Sequence, residues 1–179
     1  MSKAQDKREH ILATAVKLVL EQSVGQLTLD AVAAAAGVSK GGLLYHFASK
    51  EQLIGAMLEH YMQAFLRRVD AHMAADTEPR GRFLRAFVLA TLEEEPQETG
   101  IVAAAISALA YHPTLLDQLR AYYAQFHKRA SEDGVSADVA QVVMLAMDGW
   151  WYARMFGNYP QLDGAALQAW LFRVIAQGE

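Results

Sequence analysis

Residues 39–50 combine basic side chains with two adjacent glycines, a pattern suited to close contact with a charged molecule. Lys40 and Lys50 stand near the two ends of this stretch, and Gly41 and Gly42 directly follow the first lysine. Glycine weakens a helix by roughly 1 kcal/mol relative to alanine. A helix tip without side chains can nevertheless bring its backbone close to another surface. The chemistry that these residues indicate is recognition of phosphate oxygens and other polar groups.

The chain lacks the residue patterns on which catalysis usually depends. It contains no cysteine, which excludes disulfides, thiolate metal sites and a cysteine nucleophile. Its six histidines include no pair spaced four residues apart, so a zinc motif has little support. The sequence also contains no GxSxG elbow, phosphate loop or HExxH motif. We therefore expect no enzymatic activity, no cofactor and no metal, with an active site inside a helical bundle as the alternative.

Composition and charge indicate a globular protein rather than a disordered one. Of 179 residues, 53% are hydrophobic and 20% are charged, and the net charge is −4. Residues 1–53 hold six Lys/Arg against five Asp/Glu, so the acidic excess lies in the remainder. The first ten residues are too polar for a signal peptide, and the most apolar stretch, 142–157, is too short and too charged to span a bilayer. We expect a soluble, cytoplasmic protein that does not enter the membrane.

Apolar residues recur at helical spacing along the chain, and no segment alternates convincingly as a strand does. Thr28, Ser39 and Ser49 can each cap the helix that follows them. This pattern predicts an all-α fold of about nine helices, in which a small N-terminal bundle precedes a larger C-terminal one. The expected helices cover residues 6–22, 29–36, 40–46, 49–72, 79–93, 99–110, 114–132, 137–157 and 163–177.

The second and third of these helices are short and are joined by a three-residue turn, as in a helix-turn-helix motif. The alanines at 33–36 leave the second helix thin, so the third can cross it closely. Gly37 can adopt the positive φ that ends a helix, and Val38 and Leu43 are expected to point inward. In this motif the first turn of the later helix enters the major groove of DNA. The two bare glycines lie in that turn.

The segment LTLDAVAAAAGVSKGGLLYHFASKEQL, residues 27–53, resembles the N-terminal domain of TetR-family transcriptional regulators. The shared features are the threonine-capped helix, AAGVSKG, HF and SKEQL at fixed spacing. The resemblance implies a helix-turn-helix DNA-binding domain at 6–52, a linking fourth helix at 49–72, and an effector-binding and dimerisation domain at 73–179. The residues that it assigns to DNA binding are Thr28, Ser39, Lys40, Gly41, Gly42, Leu44, Tyr45, His46 and Lys50.

The positions of these residues imply separate roles within the family pattern. Lys40 and Tyr45 match base or backbone contacts, whereas His46 and Lys50 match phosphate contacts. Two positions depart from the pattern. The family usually has a phosphate-binding tyrosine where this chain has Leu44, so that contact is lost or moved to the next residue. Asp30 stands where a basic or polar residue often meets DNA, and a carboxylate there would repel phosphate or accept from a cytosine amino group.

The expected helix at 137–157 is apolar on two faces, so it needs a partner on each of them. One face can cover the core of the C-terminal bundle, and the other can meet a symmetry mate in an isologous dimer. The resemblance also implies a homodimer built from the last two helices. The residues expected at that interface are Val142, Leu145, Tyr152, Phe156, Leu167, Trp170, Leu171 and Val174.

Aromatic and methionine side chains of the C-terminal part suit a pocket for an apolar or aromatic molecule. Each of them alone is more often ordinary core. Asp148 lies among apolar residues and must find a partner, which can be Arg154, another donor, or a polar or cationic group of a ligand. The residues expected to line the pocket are Tyr111, Tyr122, Phe126, Met144, Met147, Asp148, Trp151 and Met155.

Together these patterns predict a dimeric, ligand-responsive transcriptional repressor that binds a palindromic operator in double-stranded DNA. A small-molecule effector of unknown identity would fill the pocket and move the fourth helix, so that the two third helices no longer match successive major grooves. A DNA-binding module without effector control is the other alternative, and activation instead of repression stays open.

Overall fold

The computed structural model describes residues 3–22, 27–93, 113–157, 161 and 163–178. Eight helices and no strand lie in these ranges, which confirms the all-α fold. The helix expected at 99–110 lies outside the described residues. The helices are α1 Lys3–Gln22, α2 Leu29–Ala35, α3 Lys40–His46, α4 Lys50–Ala75, α5 Arg82–Leu92, α6 Pro113–Ser131, α7 Ala137–Phe156 and α8 Gly164–Gln177.

The chain divides into two compact units. One comprises Met1–Tyr61 with Gly100–Leu119, and the other comprises Met62–Thr99 with Arg120–Glu179. Both α4 and α6 therefore run from one unit into the other. Among the described helices, none is long and apolar enough to cross a membrane.

Side-chain caps define the helices of the first unit. The hydroxyls of Thr28, Ser39 and Ser49 accept backbone N–H groups near the starts of α2, α3 and α4 at 3.1, 3.1 and 3.2 Å. Each cap satisfies a donor that the first turn of a helix otherwise leaves unpaired. The buried apolar side chains of this unit include Ile11, Ala15, Val32, Leu43, Phe47, Leu53 and Leu58.

The first turns of α6 belong to the same unit. Leu115 is buried, and the Gln118 side-chain amide donates to the carbonyl oxygen of Gly55 on α4 at 3.1 Å. A Cβ added at Gly55 would lie 3.3 Å from both of these side chains. The absence of a side chain at that position lets α6 approach α4 closely.

In the second unit α5 packs against α7 and α8. The rings of Phe65, Phe87 and Phe126 form a cluster with centroid separations of 5.4 to 5.8 Å. The remaining core includes Phe83, Leu84, Val143, Met147, Leu171 and Ile175.

The sequence pattern predicted that helix α5 begins near Pro79. In the structure, α5 begins at Arg82. Gly81 takes a left-handed φ of +72° and so ends the preceding turn. The carboxylate of Asp133 then accepts the backbone N–H groups of Phe83 and Leu84 at 2.8 and 2.9 Å. A residue from the loop after α6 therefore caps α5, and the local sequence of α5 gives no sign of it.

Candidate nucleic-acid interface

Helices α2 and α3 form the helix-turn-helix predicted from the sequence. Gly37 has a φ of +64°, and the backbone N–H of Val38 donates to the carbonyl oxygen of Ala33 at 3.0 Å. Ala33 and Ala36 are both buried. Small side chains at this crossing and the left-handed turn residue together fix the direction of α3.

Helix α3 has a buried side and an exposed side. Leu43 is buried within α3 and Phe47 just after it, and they anchor the helix in the first unit. On the other side Tyr45 is 81% exposed and Leu44 is 37% exposed. The ring of the partly buried His46 meets the Tyr45 ring edge-on at 5.1 Å. A large aromatic ring is thus presented to solvent on a firmly anchored helix.

The tip of α3 has open space at Gly41 but not at Gly42. A Cβ added at Gly41 would have no atom within 4 Å, whereas one added at Gly42 would lie 3.1 Å from the Ser39 hydroxyl oxygen. The same added Cβ would lie 3.7 Å from the Lys7 ammonium, so Lys7 of α1 reaches the first turn of α3.

A Gly41→Ala variant is expected to be more stable than the wild type and to bind DNA more weakly. Alanine should raise the free energy of unfolding by roughly 0.5–1 kcal/mol, because it suits a helix better and has room in the free protein. If the tip contacts the groove, the new methyl group should weaken DNA binding by about 1–3 kcal/mol, which is the cost of adding a methyl group to a closely packed protein core. Thermal denaturation and fluorescence anisotropy with labelled duplex measure the two effects.

Gly42→Ala is the contrasting variant in that comparison. Its methyl group would crowd the capping hydroxyl of Ser39, so the gain in stability should be smaller. A Gly41→Ala protein that is more stable and binds DNA as tightly as the wild type would contradict a close approach of the tip to DNA.

Charged side chains surround this tip. The ammonium of Lys40 lies 3.0 Å from Oδ1 and 3.1 Å from Oδ2 of Asp30, in an ion pair between α3 and the first turn of α2. Lys50 is the first residue of α4, where unpaired N–H groups and the helix dipole favour an anion. Thr28 is exposed and caps α2. The expected DNA-binding residues thus lie at the start of α2, on α3 and at the start of α4, and all of them are exposed except Gly42, His46 and Lys50, which are half-buried.

Two further side chains of α1 contact the helix-turn-helix. The guanidinium of Arg8 lies 5.1 Å from the centre of the Phe47 ring, a cation–π distance. The Nε2 atom of His10 lies 3.1 Å from the carbonyl oxygen of Ala36, at the end of α2. Both contacts tie α1 to the helix-turn-helix. The partners are 39 and 26 residues apart in the chain, so no local sequence pattern indicates either contact.

The residues expected to line an effector pocket lie in the second unit, apart from Tyr111, which is outside the described residues. Tyr122, Phe126, Met144 and Met147 are buried, and Trp151 and Met155 are half-buried.

Asp148 finds its hydrogen-bond donor in Tyr123, whose hydroxyl donates to Oδ1 at 2.7 Å. Burial raises the pKa of Asp148, and this hydrogen bond partly offsets the effect. The indole N–H groups of Trp150 and Trp151 are buried and meet no acceptor among the described residues.

An exposed apolar stripe runs along α7, with a fifth large side chain on α8. Leu145 is 60% exposed and Phe156 is 68% exposed. Val142, Tyr152 and Trp170 are each about half exposed. Leu171 is completely buried and so falls outside this surface, which corrects the expected interface set. Leu167 and Val174 are half-buried. The exposed residues, here called the α7–α8 stripe, are Val142, Leu145, Tyr152, Phe156 and Trp170.

The fold and this interface define an all-helical, helix-turn-helix DNA-binding protein. Residues 11–57 match the family model of bacterial regulatory proteins of the tetR family. Residues 81–177, more than half of the chain, match the tetracyclin repressor-like C-terminal domain. The chain therefore belongs to the TetR family of DNA-binding transcriptional regulators, as its helix-turn-helix sequence predicted.

Curated relatives share mainly the N-terminal part. The transcriptional regulator AcrR of Shigella flexneri is 39% identical over 56 residues, which cover 31% of this chain and 26% of AcrR. The transcriptional repressor NemR of Escherichia coli strain K12 is 38% identical over 64 residues, covering 36% of this chain and 32% of NemR. The chain thus spans about a quarter to a third of these two relatives.

Solved structures match over nearly the whole chain. A transcriptional regulator from Rhodococcus sp. Rha1 has a TM-score of 0.78 at 20% identity, covering 96% of this chain and 95% of that one. The multidrug binding protein EbrR, complexed with malachite green, has a TM-score of 0.72 at 21% identity, covering 93% and 96%. At these identities the similarity shows the fold.

Proposed function

We propose that this protein is a dimeric transcriptional repressor that a small apolar or aromatic effector releases from a palindromic operator. The observation that carries the proposal is the anchored, glycine-tipped α3 with Tyr45 exposed on its outer side. In the proposal, residues 6–52 bind DNA, α4 links them to the remainder, and residues 73–179 bind the effector and form the dimer.

The DNA-binding half of the proposal assigns the first turn of α3 to the major groove. The tip glycines permit close approach, Lys40 and Tyr45 reach base or backbone groups, and His46 and Lys50 bind phosphates. Two copies of α3 in a dimer would read two half-sites roughly 34–36 Å apart. The twofold symmetry of such a dimer is the reason for expecting a palindromic operator.

The α7–α8 stripe supplies the proposed dimer interface. An exposed apolar surface of this kind marks an interaction site. A second copy of the same stripe satisfies both surfaces at once through a twofold axis.

The effector-binding half rests on side chains of the second unit. Tyr122 and Phe126 on α6, with Met144, Met147 and Trp151 on α7, offer flat rings and adaptable sulfur atoms to an aromatic molecule. The indole N–H of Trp151 lacks an acceptor in the described residues. The likeness of fold to EbrR, which was solved with malachite green, supports a site for a molecule of that kind.

Helix α6 gives the proposal a route from effector to DNA. It carries two of the pocket residues, and its first turns contact α4 through Leu115 and Gln118 at Gly55. An effector that prefers one position of α6 would shift the population of α4 positions and so change the separation of the two α3 helices.

A Lys50→Ala variant tests the DNA-binding half. It should bind every duplex more weakly. The slope of log affinity against log salt should become less steep by about 0.9 for each phosphate contact removed. Lys17→Ala is the matched control, because Lys17 lies on α1 with its side chain 75% exposed and pairs with Glu21. Fluorescence anisotropy between about 50 and 200 mM salt measures both quantities. An unchanged slope for Lys50→Ala would remove this residue from the interface.

Effector control is tested on the complex of the wild-type protein with duplex DNA. A duplex selected by the wild type from a random pool is bound first, and malachite green or a neutral aromatic compound is then titrated in. Release of DNA that tracks binding of the compound supports effector control. Binding without release, or no binding by any aromatic probe, would leave a DNA-binding module without such control.

A further inference from the structure

Asp30 places a carboxylate on the surface that the proposed function assigns to DNA. It lies in the first turn of α2, and both of its oxygens are within 3.1 Å of the Lys40 ammonium in the first turn of α3. The two side chains are 68% and 63% exposed. A net neutral pair therefore occupies a site where a lone lysine would be a phosphate ligand.

The geometry gives Asp30 a role beyond the two that the sequence left open. A carboxylate that reads a cytosine must offer an oxygen to the amino group in the major groove. Here both oxygens are turned towards one ammonium, so the carboxylate acts first on Lys40. The pair also restricts a flexible side chain that could otherwise rotate towards any phosphate within reach.

We infer that Asp30 is a specificity-determining residue, which holds Lys40 for operator contact and suppresses its use as a general phosphate ligand. This inference rests on the proposed function. In a helix-turn-helix complex the earlier helix crosses the DNA backbone while the tip of the later helix meets base edges. The Asp30–Lys40 pair spans these two positions and keeps the ammonium at the tip.

The two kinds of complex respond differently to this restraint. Binding to non-operator DNA depends almost wholly on phosphate contacts, so a carboxylate that withholds a lysine and repels phosphate weakens it directly. Binding to the operator also draws on base contacts, including those assigned to Tyr45. Asp30 therefore lowers non-operator affinity more than operator affinity.

The test compares wild type with Asp30→Asn, a change of charge at nearly constant shape. Anisotropy is measured on an operator duplex selected by the wild type and on a scrambled duplex, between about 50 and 200 mM salt. For the variant, affinity for the scrambled duplex should rise roughly 3–10-fold and its salt slope should steepen by about 0.9 for each lysine released. The ratio of operator to scrambled affinity should fall by at least about 3-fold.

Glu21→Gln is the matched control. It removes the same charge from another lysine–carboxylate pair, in which Glu21 Oε1 lies 3.9 Å from Lys17 near the far end of α1. If total charge alone governed the effect, both variants would bind scrambled DNA equally well, and that result would overturn the inference.

Lys40→Ala provides the second measurement, because it removes the group through which Asp30 is said to act. In that background Asp30→Asn should no longer steepen the salt slope. Equal steepening with and without Lys40, or unchanged affinities in the single variant, would overturn the role of Asp30 while operator binding by the wild type still stands. A wild type that binds no duplex even at low salt would instead overturn the proposed function and this inference with it.

Discussion

Replacing Leu145 and Phe156 together by glutamate is expected to convert the proposed dimer into monomers and to abolish tight operator binding. These two side chains are the most exposed members of the α7–α8 stripe. A dimer of this kind would bury four new carboxylates beside apolar partners, and unpaired buried charges are strongly unfavourable. The folded monomer should survive, because both side chains already face solvent in the single chain.

The spacing of the stripe supports this expectation. The stripe residues of α7, together with Gly149, occupy positions 142, 145, 149, 152 and 156. These positions are separated by three and four residues in turn, which is the repeat by which two helices pack along a seam. Gly149 stands in the middle of this seam, and a Cβ added there would meet no atom within 4 Å. A helix from a second copy could therefore approach closely at that point.

The loss of DNA binding should be large, because the proposed dimer would link two half-sites. Linked sites gain roughly 10²–10⁴-fold in affinity over one site alone, and the monomer forfeits that gain. Sedimentation equilibrium gives the oligomeric state, and anisotropy on the selected operator gives the affinity.

Gln125→Glu is the control for that experiment, since Gln125 is an exposed residue of α6 in the same unit. A double variant that remains dimeric would show that the stripe is not the interface. A monomer that binds the operator as tightly as wild type would show that pairing of two half-sites is not needed.

The helix-turn-helix could be predicted from sequence because its determinants are local. A cap at Thr28, a turn at Gly37 and a cap at Ser39 each act within about four residues, and buried side chains follow at helical spacing. The family match over residues 11–57 depends on the same stretch. Local rules and the final structure agree here.

Contacts between distant segments account for what the sequence did not reveal. Asp133 caps α5 from about 50 residues away, and Tyr123, 25 positions before Asp148, donates a hydrogen bond to it. Neither partner can be found from helical periodicity, which places a residue on a face but does not say what lies opposite. Only the packing of helices decides such pairs.

The burial of Leu171 has a related cause. Helix α8 carries apolar residues on more than one side, and periodicity cannot tell which side faces the core of its own unit. The structure buries Leu171 and Ile175 together and leaves Trp170 about half exposed. The pair of Asp30 and Lys40 belongs to the same class, since the angle between α2 and α3 brings together two residues ten positions apart.

A Tyr45→Ala variant is expected to lose operator affinity roughly 10–200-fold while its stability changes by no more than about 0.5 kcal/mol. The small stability change follows from the 81% exposure of this side chain, because surface substitutions seldom cost more. The large affinity change follows from its place on the outer side of α3, where a good contact to DNA contributes about 1–3 kcal/mol.

Tyr45→Phe separates the two parts of that contribution. If the hydroxyl has taken over the phosphate contact that the family makes at the position of Leu44, phenylalanine should lose most of the affinity that Tyr45 contributes. If the ring packs against bases or sugar, phenylalanine should bind nearly as well as tyrosine. Leu44→Ala is the neighbouring control, since it shortens an exposed apolar side chain that cannot bind phosphate. A Tyr45→Ala protein that binds the operator as tightly as wild type would show that the outer side of α3 does not face DNA, because Tyr45 is the more solvent-exposed of the two large apolar side chains there.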